Sequence, residues 1–322
     1  MNPPATNRTA NETPFVAVIG GSGLGARLAR PGFLNGTESV RPETPFGLPS
    51  GDILVGRLGA DDGACRIALL SRHGDGHLLN PHEVPYRANI FALKMLGVTH
   101  IVASGATGSL REHIHPGEIV LVDQFIDRTH GRPRTFFDRA AVHVEFADPC
   151  CPVTRRWLLD AAEAAGVTMH ARGTYVCMEG PAFSTRAESE MHRQWGGDVI
   201  GMTALPEAKL AREAEMAYAL LALPTDYDCW RTPSAEPGDS GMASLSLLEE
   251  IIGNLERAAD ASIRVLRSAL GSVERLQQEA SPSHNALRLG IWSDKARIEP
   301  NEVERLRPLW GRYFSEQRPE AQ

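Results

Sequence analysis

The sequence predicts an α/β protein built around a central sheet, because segments typical of strands alternate with segments typical of helices. Phe15–Ile19 and Ala217–Leu223 are short apolar runs of the kind found in buried strands. Tyr86–Leu96 carries apolar residues at helical spacing and ends at Gly97. A hydrophobic content of 42% and a charged content of 23% are typical of a globular protein.

The remaining elements follow the same alternation along the chain. Further strands are predicted at Asp52–Arg57, Arg66–Leu70, His100–Ala103, Ile119–Val122 and Tyr175–Met178. Further helices are predicted at Thr154–Ala165, Pro206–Ala214 and Leu245–Leu270. Thr232–Gly241, rich in Pro, Gly and Ser, is predicted to be a loop of the kind that covers a binding site.

Both ends of the chain differ from this central part. Residues 1–14 are rich in Asn, Thr and Pro and are expected to be a disordered tail. Residues 15–272 are expected to form one domain, and 273–322 a C-terminal extension. Because the extension carries apolar side chains such as Trp292 and Trp310, we expect it to pack on the body or on a neighbouring subunit.

Charge and composition argue against several classes of partner. The net charge of −7 and pI near 5.9 disfavour binding to nucleic acid or to an anionic membrane surface. No apolar run reaches the roughly 20 residues that a membrane-spanning helix needs, and no apolar signal-peptide core is seen. Five cysteines without a C-x-x-C motif indicate reduced thiols in a cytoplasmic protein.

Metal and hydrolase chemistry have little support in the sequence. His113 and His115 are two residues apart, but no H-E-x-x-H motif or cysteine set accompanies them, so a polar loop is the better interpretation. No G-x-S-x-G motif supplies a hydrolase nucleophile.

A glycine-rich turn follows the first strand and leaves three interpretations open. The letters Gly21-Ser-Gly23-x-x-Ala26 match a dinucleotide fingerprint. The helix that such a site needs is cut short at Pro31, however, which weakens that interpretation. The second interpretation is a tight turn that only requires glycine torsions. The third is that its N–H groups and the Ser22 hydroxyl bind a single phosphate.

Three further segments favour the single phosphate. Arg72 and His73 follow the strand RIALLS, at a strand end where α/β folds present binding groups. Arginine offers a planar fork of donors to phosphate oxygens, and histidine adds one more. The segments ASGATGSL and GMTALPE each place a small-residue turn after a strand, the second with Thr203 as a hydroxyl donor.

Two acids follow the last apolar strand, in the segment PTDYDCW. Strand alternation predicts that Asp226 and Asp228 face the same side. The alternative without a functional role is that one of the acids caps a helix or that both face solvent. A same-facing pair running into Cys-Trp is more typical of a functional site.

Together these motifs resemble the methylthioadenosine phosphorylases within the trimeric purine nucleoside phosphorylase family. The resemblance rests on GGSGL, TPFGLPS, SRHGDGH, YRANIFALK, GSLREHIHPGEIVLVDQFIDRT, EGPAFSTRAES, GMTALPEAKLARE and TDYDCW, in order over about residues 16–265. It implies a single domain with a mixed, twisted sheet flanked by helices. It also implies phosphorolysis of methylthioadenosine to adenine and methylthioribose 1-phosphate, without a cofactor or metal.

The resemblance implies a role for each site residue. The residues implied to surround the phosphate are Ser22, Arg72, His73, Gly105, the backbone of Ala106, and Thr203. Those implied to contact the base or ribose are Phe183, Ser184, Met202, Asp226, Tyr227 and Asp228. Those implied to line the 5′ pocket are His77, His143, Ser244 and Leu248, with His143 reaching a neighbouring subunit of a homotrimer.

Physical chemistry supports these roles and limits the class of purine that the site is expected to accept. Adenine leaves poorly as an anion, so we expect Asp226 to protonate N7, with a pKa raised by burial and by Asp228. Arg72 and His73 would hold the incoming phosphate. Relatives that cleave 6-oxopurine nucleosides have Glu after the Phe of G-P-x-F, where this chain has Ser184. We therefore expect a 6-aminopurine substrate.

Two positions depart from the family pattern. Gly105 stands where the family often has Thr, which removes one phosphate hydroxyl, and Ser104 or a backbone N–H is expected to replace it. Ser244 stands where the family usually has an apolar residue. Three alternatives stay open: phosphorolysis of methylthioinosine or other purine nucleosides, a non-catalytic nucleoside-binding protein, and an NAD-dependent dehydrogenase.

Overall fold

The computed structural model describes residues 15–21, 24–28, 33–58, 65–231 and 240–314, apart from the side chains of 25–26 and 240–246. The strands are β1 Val16–Gly20, β2 Asn35–Val40, β3 Ile53–Leu58, β4 Cys65–Ser71, β5 His100–Ser109, β6 Val120–Leu121, β7 Gln124–Arg128, β8 Thr174–Met178, β9 Val199–Gly201 and β10 Ala217–Asp226. The α-helices are α1 Gly25–Leu28, α2 Tyr86–Met95, α3 Pro152–Ala164, α4 Arg186–Gln194, α5 Glu207–Glu213, α6 Ser240–Leu270, α7 Pro300–Arg305 and α8 Arg307–Trp310.

The ten strands described form one mixed sheet, as the fold class predicts. Its main path runs β2-β3-β4-β1-β5-β9-β8-β7, and β10 pairs with β5 and with β6. The strands β4, β1, β5 and β10 are parallel neighbours. The sheet is mixed because β2, β3 and β4 pair antiparallel, as do β9 with β5 and β6 with β10.

Side chains alternate between two hydrophobic cores, one on each face of the sheet. In β10, Tyr218 and Leu220 belong to the core that is also formed by residues of α2, α5 and α8. Ala219 and Leu221, on the opposite face, belong to the core formed with residues of α3 and α6. A strand buried on both faces is expected to be apolar throughout, and this is why β10 reads as a continuous apolar run.

Strand β5 corrects the prediction for ASGATGSL. The sequence predicts a strand ending at Ala103 and then a turn, but β5 continues to Ser109. It continues because β10 pairs with it in parallel as far as Gly108. Its last two residues, Gly108 and Ser109, pair antiparallel with β9. The small residues lie within the strand, and at Gly108 the missing side chain leaves room for Asp226 and Ile200.

Three of the elements that the sequence analysis does not predict have mainly polar sequences. The segment Asn35–Val40 is a polar edge strand, and Gln124–Arg128 is a strand at the other end of the sheet. Arg186–Gln194 is a helix whose N-terminus is capped by Thr185 and Glu188 in a capping box. These elements are not predicted from apolar periodicity, because strand pairing and helix capping stabilise them rather than an apolar face.

The described part of the C-terminal segment lies against the body of the chain. Glu215 accepts hydrogen bonds from the backbone N–H of Leu287 and from the side chains of Arg312 and Tyr313. Trp310 is fully buried, with its ring 4.8 Å from that of Phe137. No helix among the described residues has the length and apolar character needed to cross a bilayer.

Candidate active site

Four parallel strands end at the same edge of the sheet and bring the predicted site together. Gly21 follows β1, Arg72 follows β4, Gly105 lies in the second half of β5, and Asp226 ends β10. Because carboxyl ends of parallel strands share an edge, residues far apart in sequence become neighbours here. We call the residues around Arg72 the first part of this edge and those around Asp226 the second part.

Gly21 lies against the other members of the first part. A Cβ atom at this position would be 2.9 Å from Nη1 of Arg72, 2.7 Å from the Ser104 carbonyl oxygen and 3.2 Å from the Gly105 Cα. Only glycine permits such contact between the turn and the neighbouring strands. Ser22, the predicted hydroxyl donor of this turn, lies outside the described residues.

The Arg72 guanidinium is buried and held in a fixed orientation. Its Nε and Nη2 atoms donate to the two carboxylate oxygens of Glu207 at 2.7 and 2.8 Å. Its Nη1 atom donates to the Ser104 carbonyl oxygen at 2.7 Å. Each of the two side chains is only 1% exposed. This geometry uses three of the five N–H groups and leaves one each on Nη1 and Nη2.

Glu207 is a member of this arrangement that the sequence analysis does not single out. It begins α5 and also accepts a hydrogen bond from the buried Tyr218 hydroxyl at 2.9 Å. The only signal in the sequence is its place in the motif GMTALPEAKLARE. Its pairing with Arg72 balances a buried positive charge that would otherwise be strongly unfavourable.

The remaining predicted phosphate ligands lie next to this pair. A Cβ atom at Gly105 would be 3.6 Å from the Thr203 hydroxyl, so the two residues are in contact distance of one another. Ala106 follows in β5 and is partly exposed. Within the described part of the chain, the buried Ser104 hydroxyl has no hydrogen-bond partner.

His73 differs from its predicted role as a donor. Its Nδ1 atom lies 2.8 Å from the Leu79 carbonyl oxygen, and a carbonyl only accepts, so Nδ1 carries the hydrogen. Burial lowers the pKa of His73 to about 4, with a smaller contribution from the charge of Arg72. At neutral pH its Nε2 atom is therefore an acceptor, suited to a protonated phosphate oxygen.

The two acids of the second part are bound to each other and to the end of β10. The Asp228 backbone N–H donates to Oδ1 of Asp226 at 2.8 Å, and the Thr225 hydroxyl lies 2.7 Å from Oδ2. A Cβ atom at Gly108 would be 3.2 Å from Oδ1 of Asp226 and 3.1 Å from the Asp228 Cβ. Gly108 thus forms a floor beneath the pair.

The acids come together by a turn rather than by strand alternation. β10 ends at Asp226, and Asp228 has a φ of 50° in the left-handed region. Burial raises the pKa of Asp228 and the Asp226 carboxylate raises it further, against a hydrogen bond from Ser189. The group of the pair whose pKa is raised is thus Asp228, whereas the sequence analysis expects a raised pKa for Asp226.

The other predicted base and ribose residues are less enclosed. Phe183 is 84% exposed, and the Ser184 carbonyl accepts from the Cys229 thiol at 3.2 Å. The Tyr227 hydroxyl lies 2.7 Å from Nδ1 of His115. Met202 is partly buried, and a Cβ atom at Gly180 would lie 2.5 Å from its sulfur.

A buried arginine holds the segments that carry these residues. Arg132 donates to the backbone carbonyls of Met202 and Leu205 at 2.7 and 2.8 Å and to that of Glu179 at 2.6 Å. It also forms an ion pair with the Glu179 side chain. The sequence analysis does not identify Arg132, because these acceptors are backbone atoms that no sequence pattern reveals.

The predicted 5′ pocket residues occupy separate places. The His77 ring stacks on that of His73 with centroids 4.1 Å apart. His143 is exposed and lies beside Trp292 of the C-terminal segment, with ring centroids 4.5 Å apart. Leu248 is 53% exposed on α6, and the Ser244 side chain lies outside the described part.

The described residues include no cluster of three or more His, Cys, Asp or Glu side chains arranged to hold a metal ion. Asp226, Asp228 and His73 instead form hydrogen bonds to protein groups. The arrangement places the N–H donors of Arg72 and a pair of carboxyl groups, Asp226 and Asp228, at the same edge of the sheet.

Comparison with known proteins places this site in context. Residues 15–271 match the family described as the phosphorylase superfamily. The S-methyl-5′-thioadenosine phosphorylase of Chloroflexus aurantiacus is 48% identical over 302 residues, which cover 93% of this chain and 98% of the relative. That of Geobacter sulfurreducens is 46% identical, with 92% and 98% covered.

Solved structures agree with the sequence relatives. The crystal structure of a methylthioadenosine phosphorylase from an Antarctic soil metagenomic library has a TM-score of 0.78 and 44% identity, covering 92% of this chain and 99% of that one. A methylthioadenosine phosphorylase from Schistosoma mansoni in complex with adenine has a TM-score of 0.74 and 32% identity, covering 87% and 99%.

Proposed function

The chain belongs to the phosphorylase superfamily and, within it, to the methylthioadenosine phosphorylases, and from this we propose that it is a pentosyltransferase that phosphorolyses S-methyl-5′-thioadenosine. The products are adenine and 5-methylthioribose 1-phosphate. Inorganic phosphate is a substrate, and the reaction needs no cofactor.

Phosphate is held at the first part of the site. Ser22, Arg72, His73, Gly105, Ala106 and Thr203 are the proposed phosphate-binding residues. The fork of Arg72 gives two directed N–H donors, while Glu207 cancels its net charge. The bound dianion keeps enough charge to stabilise the cationic sugar as the glycosidic bond breaks, and it then bonds to C1′.

The base is held at the second part. Asp226 donates a proton to N7 of the departing purine, and Asp228 accepts from its 6-amino group. Phe183, Ser184, Met202 and Tyr227 are proposed to complete the contacts to base and ribose. Because Ser184 replaces the glutamate that a 6-oxopurine calls for, we propose a preference for 6-aminopurines.

The observation that carries the proposal is the joint placement of Arg72 and the Asp226–Asp228 pair at one edge of the sheet. An anion position alone would suit many enzymes, and an acid pair alone would suit many binding sites. The parallel strands β4, β5 and β10 hold the two together, as transfer of a sugar from a base to phosphate requires.

The test is an assay on a panel of nucleosides, with and without phosphate. Phosphate-dependent release of adenine from methylthioadenosine is the expected result, unchanged after treatment with EDTA. Higher kcat/KM for methylthioinosine would contradict the 6-aminopurine assignment. Tight binding of nucleoside by calorimetry without turnover would instead identify a binding protein.

We further propose a cytoplasmic homotrimer in which His143, Leu248 and Ser244 contribute to 5′ pockets together with His77. The exposure of His143 and Trp292 supports a contact with a second copy of the chain. Residues 15–272 would form the phosphorylase domain and 273–322 its extension. Sedimentation at several concentrations should give three times the chain mass of 35.0 kDa.

A further inference from the structure

A buried serine from α4 contacts the acid pair. The Ser189 side chain is fully buried, and its hydroxyl donates to Oδ2 of Asp228 at 2.5 Å. The capping box at Thr185 fixes the start of the helix one turn earlier, so the position of Ser189 is set by the helix and not by the acids. Ser189 belongs to the motif EGPAFSTRAES, in which the sequence analysis assigns no role to it.

Besides the Ser189 hydroxyl, the groups that affect the ionisation of Asp228 are Asp226, the Cys229 backbone N–H and His192. The Cys229 N–H donates to the carboxylate and favours its ionised form. Asp226 lies beside it at the end of β10 and disfavours its ionised form. His192, one turn after Ser189 on the same helix, is buried and favours the ionised form slightly. The surfaces presented by β5 and β9 are Gly108 and Ile200, which bear no charge. The Ser189 hydroxyl is therefore the principal polar contact opposing the burial of this carboxylate.

The hydrogen bonds of the two acids are not equivalent. The Thr225 hydroxyl lies 2.7 Å from Oδ2 of Asp226 and 3.3 Å from the Thr107 carbonyl oxygen. When Thr225 gives its hydrogen to that carbonyl, its oxygen can accept one from a protonated Asp226. Asp226 thus has a partner in either protonation state. Donation from Ser189 stabilises the ionised state of Asp228, as donation from the Asp228 N–H stabilises that of Asp226.

We propose that Ser189 is a positioning residue that orients the Asp228 carboxylate and favours its ionised state. This inference rests on the proposed function, in which Asp226 is the acid and Asp228 the acceptor for the 6-amino group.

The test is the pH profile of kcat/KM for methylthioadenosine with Ser189→Ala. Activity falls at low pH as Asp228 becomes protonated. Loss of a donor to the ionised form raises the pKa for this step, so the fall should begin about one to two pH units higher, the size expected for one hydrogen bond to a carboxylate. The KM for phosphate should stay within about twofold, because Arg72 is untouched.

Ser262→Ala is the matched control, since the Ser262 hydroxyl is equally buried but donates to the carbonyl of Ala258 within α6. Its low-pH limb should match that of the unaltered protein. A Ser189→Ala limb that also matches would overturn the inference, while equal losses at every pH would show a role in packing alone. Absence of phosphate-dependent adenine release by the unaltered protein would be a failure of the proposed function itself.

If Ser189→Ala does not fold, Ser189→Cys tests the same inference, because the thiol is a weaker donor of similar shape. A smaller upward movement of the low-pH limb is then expected. A folded Cys variant with an unmoved limb would overturn the inference as well.

Discussion

Arg72 and Glu207 show how one side chain can depend on another that is 135 positions away. Their ion pair is buried, so removing one partner leaves the other charge without compensation. Glu207→Gln should lower the free energy of unfolding by about 3–5 kcal/mol in phosphate-free buffer. Urea denaturation, monitored by circular dichroism, measures this loss in the free energy of unfolding.

The surface pair of Arg156 and Glu279 is the control for this loss. Both side chains are more than half exposed, and the pair is 2.9 Å long, close to the length of the buried one. Glu279→Gln should cost less than about 1 kcal/mol. Losses of similar size in the two variants would contradict the importance of burial for the Arg72–Glu207 pair.

Asp226 is the residue on which the chemistry of the base depends. Asp226→Asn keeps the size of the side chain but removes the proton it is proposed to donate. The variant should lose about 10²–10⁴-fold in kcat while phosphate binding changes little. Steady-state kinetics with each substrate varied in turn checks this, and equal losses in kcat and phosphate affinity would indicate a general positioning role.

At the scale of elements, Gly108 of β5 leaves room for the acids at the end of β10. At Gly108 a methyl group would meet Asp228, Asp226 and Ile200 at 3.1–3.2 Å. Gly108→Ala should therefore displace the acid pair and reduce kcat/KM for the nucleoside at least about tenfold, with the KM for phosphate nearly unchanged.

Gly253→Ala is the comparison at this scale. It lies within α6, and the nearest atom to a new Cβ would be 3.7 Å away on Arg257, an ordinary contact. This variant should keep its activity and gain up to about 1 kcal/mol in stability, because alanine favours a helix. A fully active Gly108→Ala variant would contradict the prediction, because it would show that the acids tolerate a methyl group at this position.

Only some of the helices and strands can be predicted from apolar patterns in the sequence. The apolar run of β10 and the helical spacing of α2 are visible because each buries a hydrophobic face. The helix α4 has little apolar character and is fixed by its capping box. The edge strand β2 is almost entirely exposed. Neither has an apolar periodicity from which it could be predicted.

At the scale of the whole molecule, two buried groups give opposite dependences of stability on pH. Burial raises the pKa of Glu213 to about 7 from its ordinary 4.5, while that of His73 is lowered to about 4 from 6.5. The folded state binds the Glu213 proton more tightly than the unfolded state, so stability falls as the pH rises from about 4.5 to 7. His73 makes stability rise between about 4 and 6.5.

Removing Glu213 should expose the contribution of His73. Glu213→Gln retains an acceptor for the Phe136 N–H, which the carboxylate binds at 2.8 Å. Relative to the unaltered protein, the variant should become more stable by about 2–3 kcal/mol as the pH rises from 4.5 to 7. Urea denaturation at several pH values measures this, and parallel stability curves for the two proteins would contradict it.

The fold class, the buried strands and the residues proposed for the site could be predicted from the sequence: a glycine turn, Arg72, small residues in β5, Thr203 and two acids. These follow from local pattern and residue chemistry. Tertiary structure alone decided that Glu207 pairs with Arg72, that Gly108 underlies the acids and that Ser189 contacts Asp228. The physical reason is that charge and protonation depend on burial and on neighbours, and strand order brings those neighbours from distant parts of the chain.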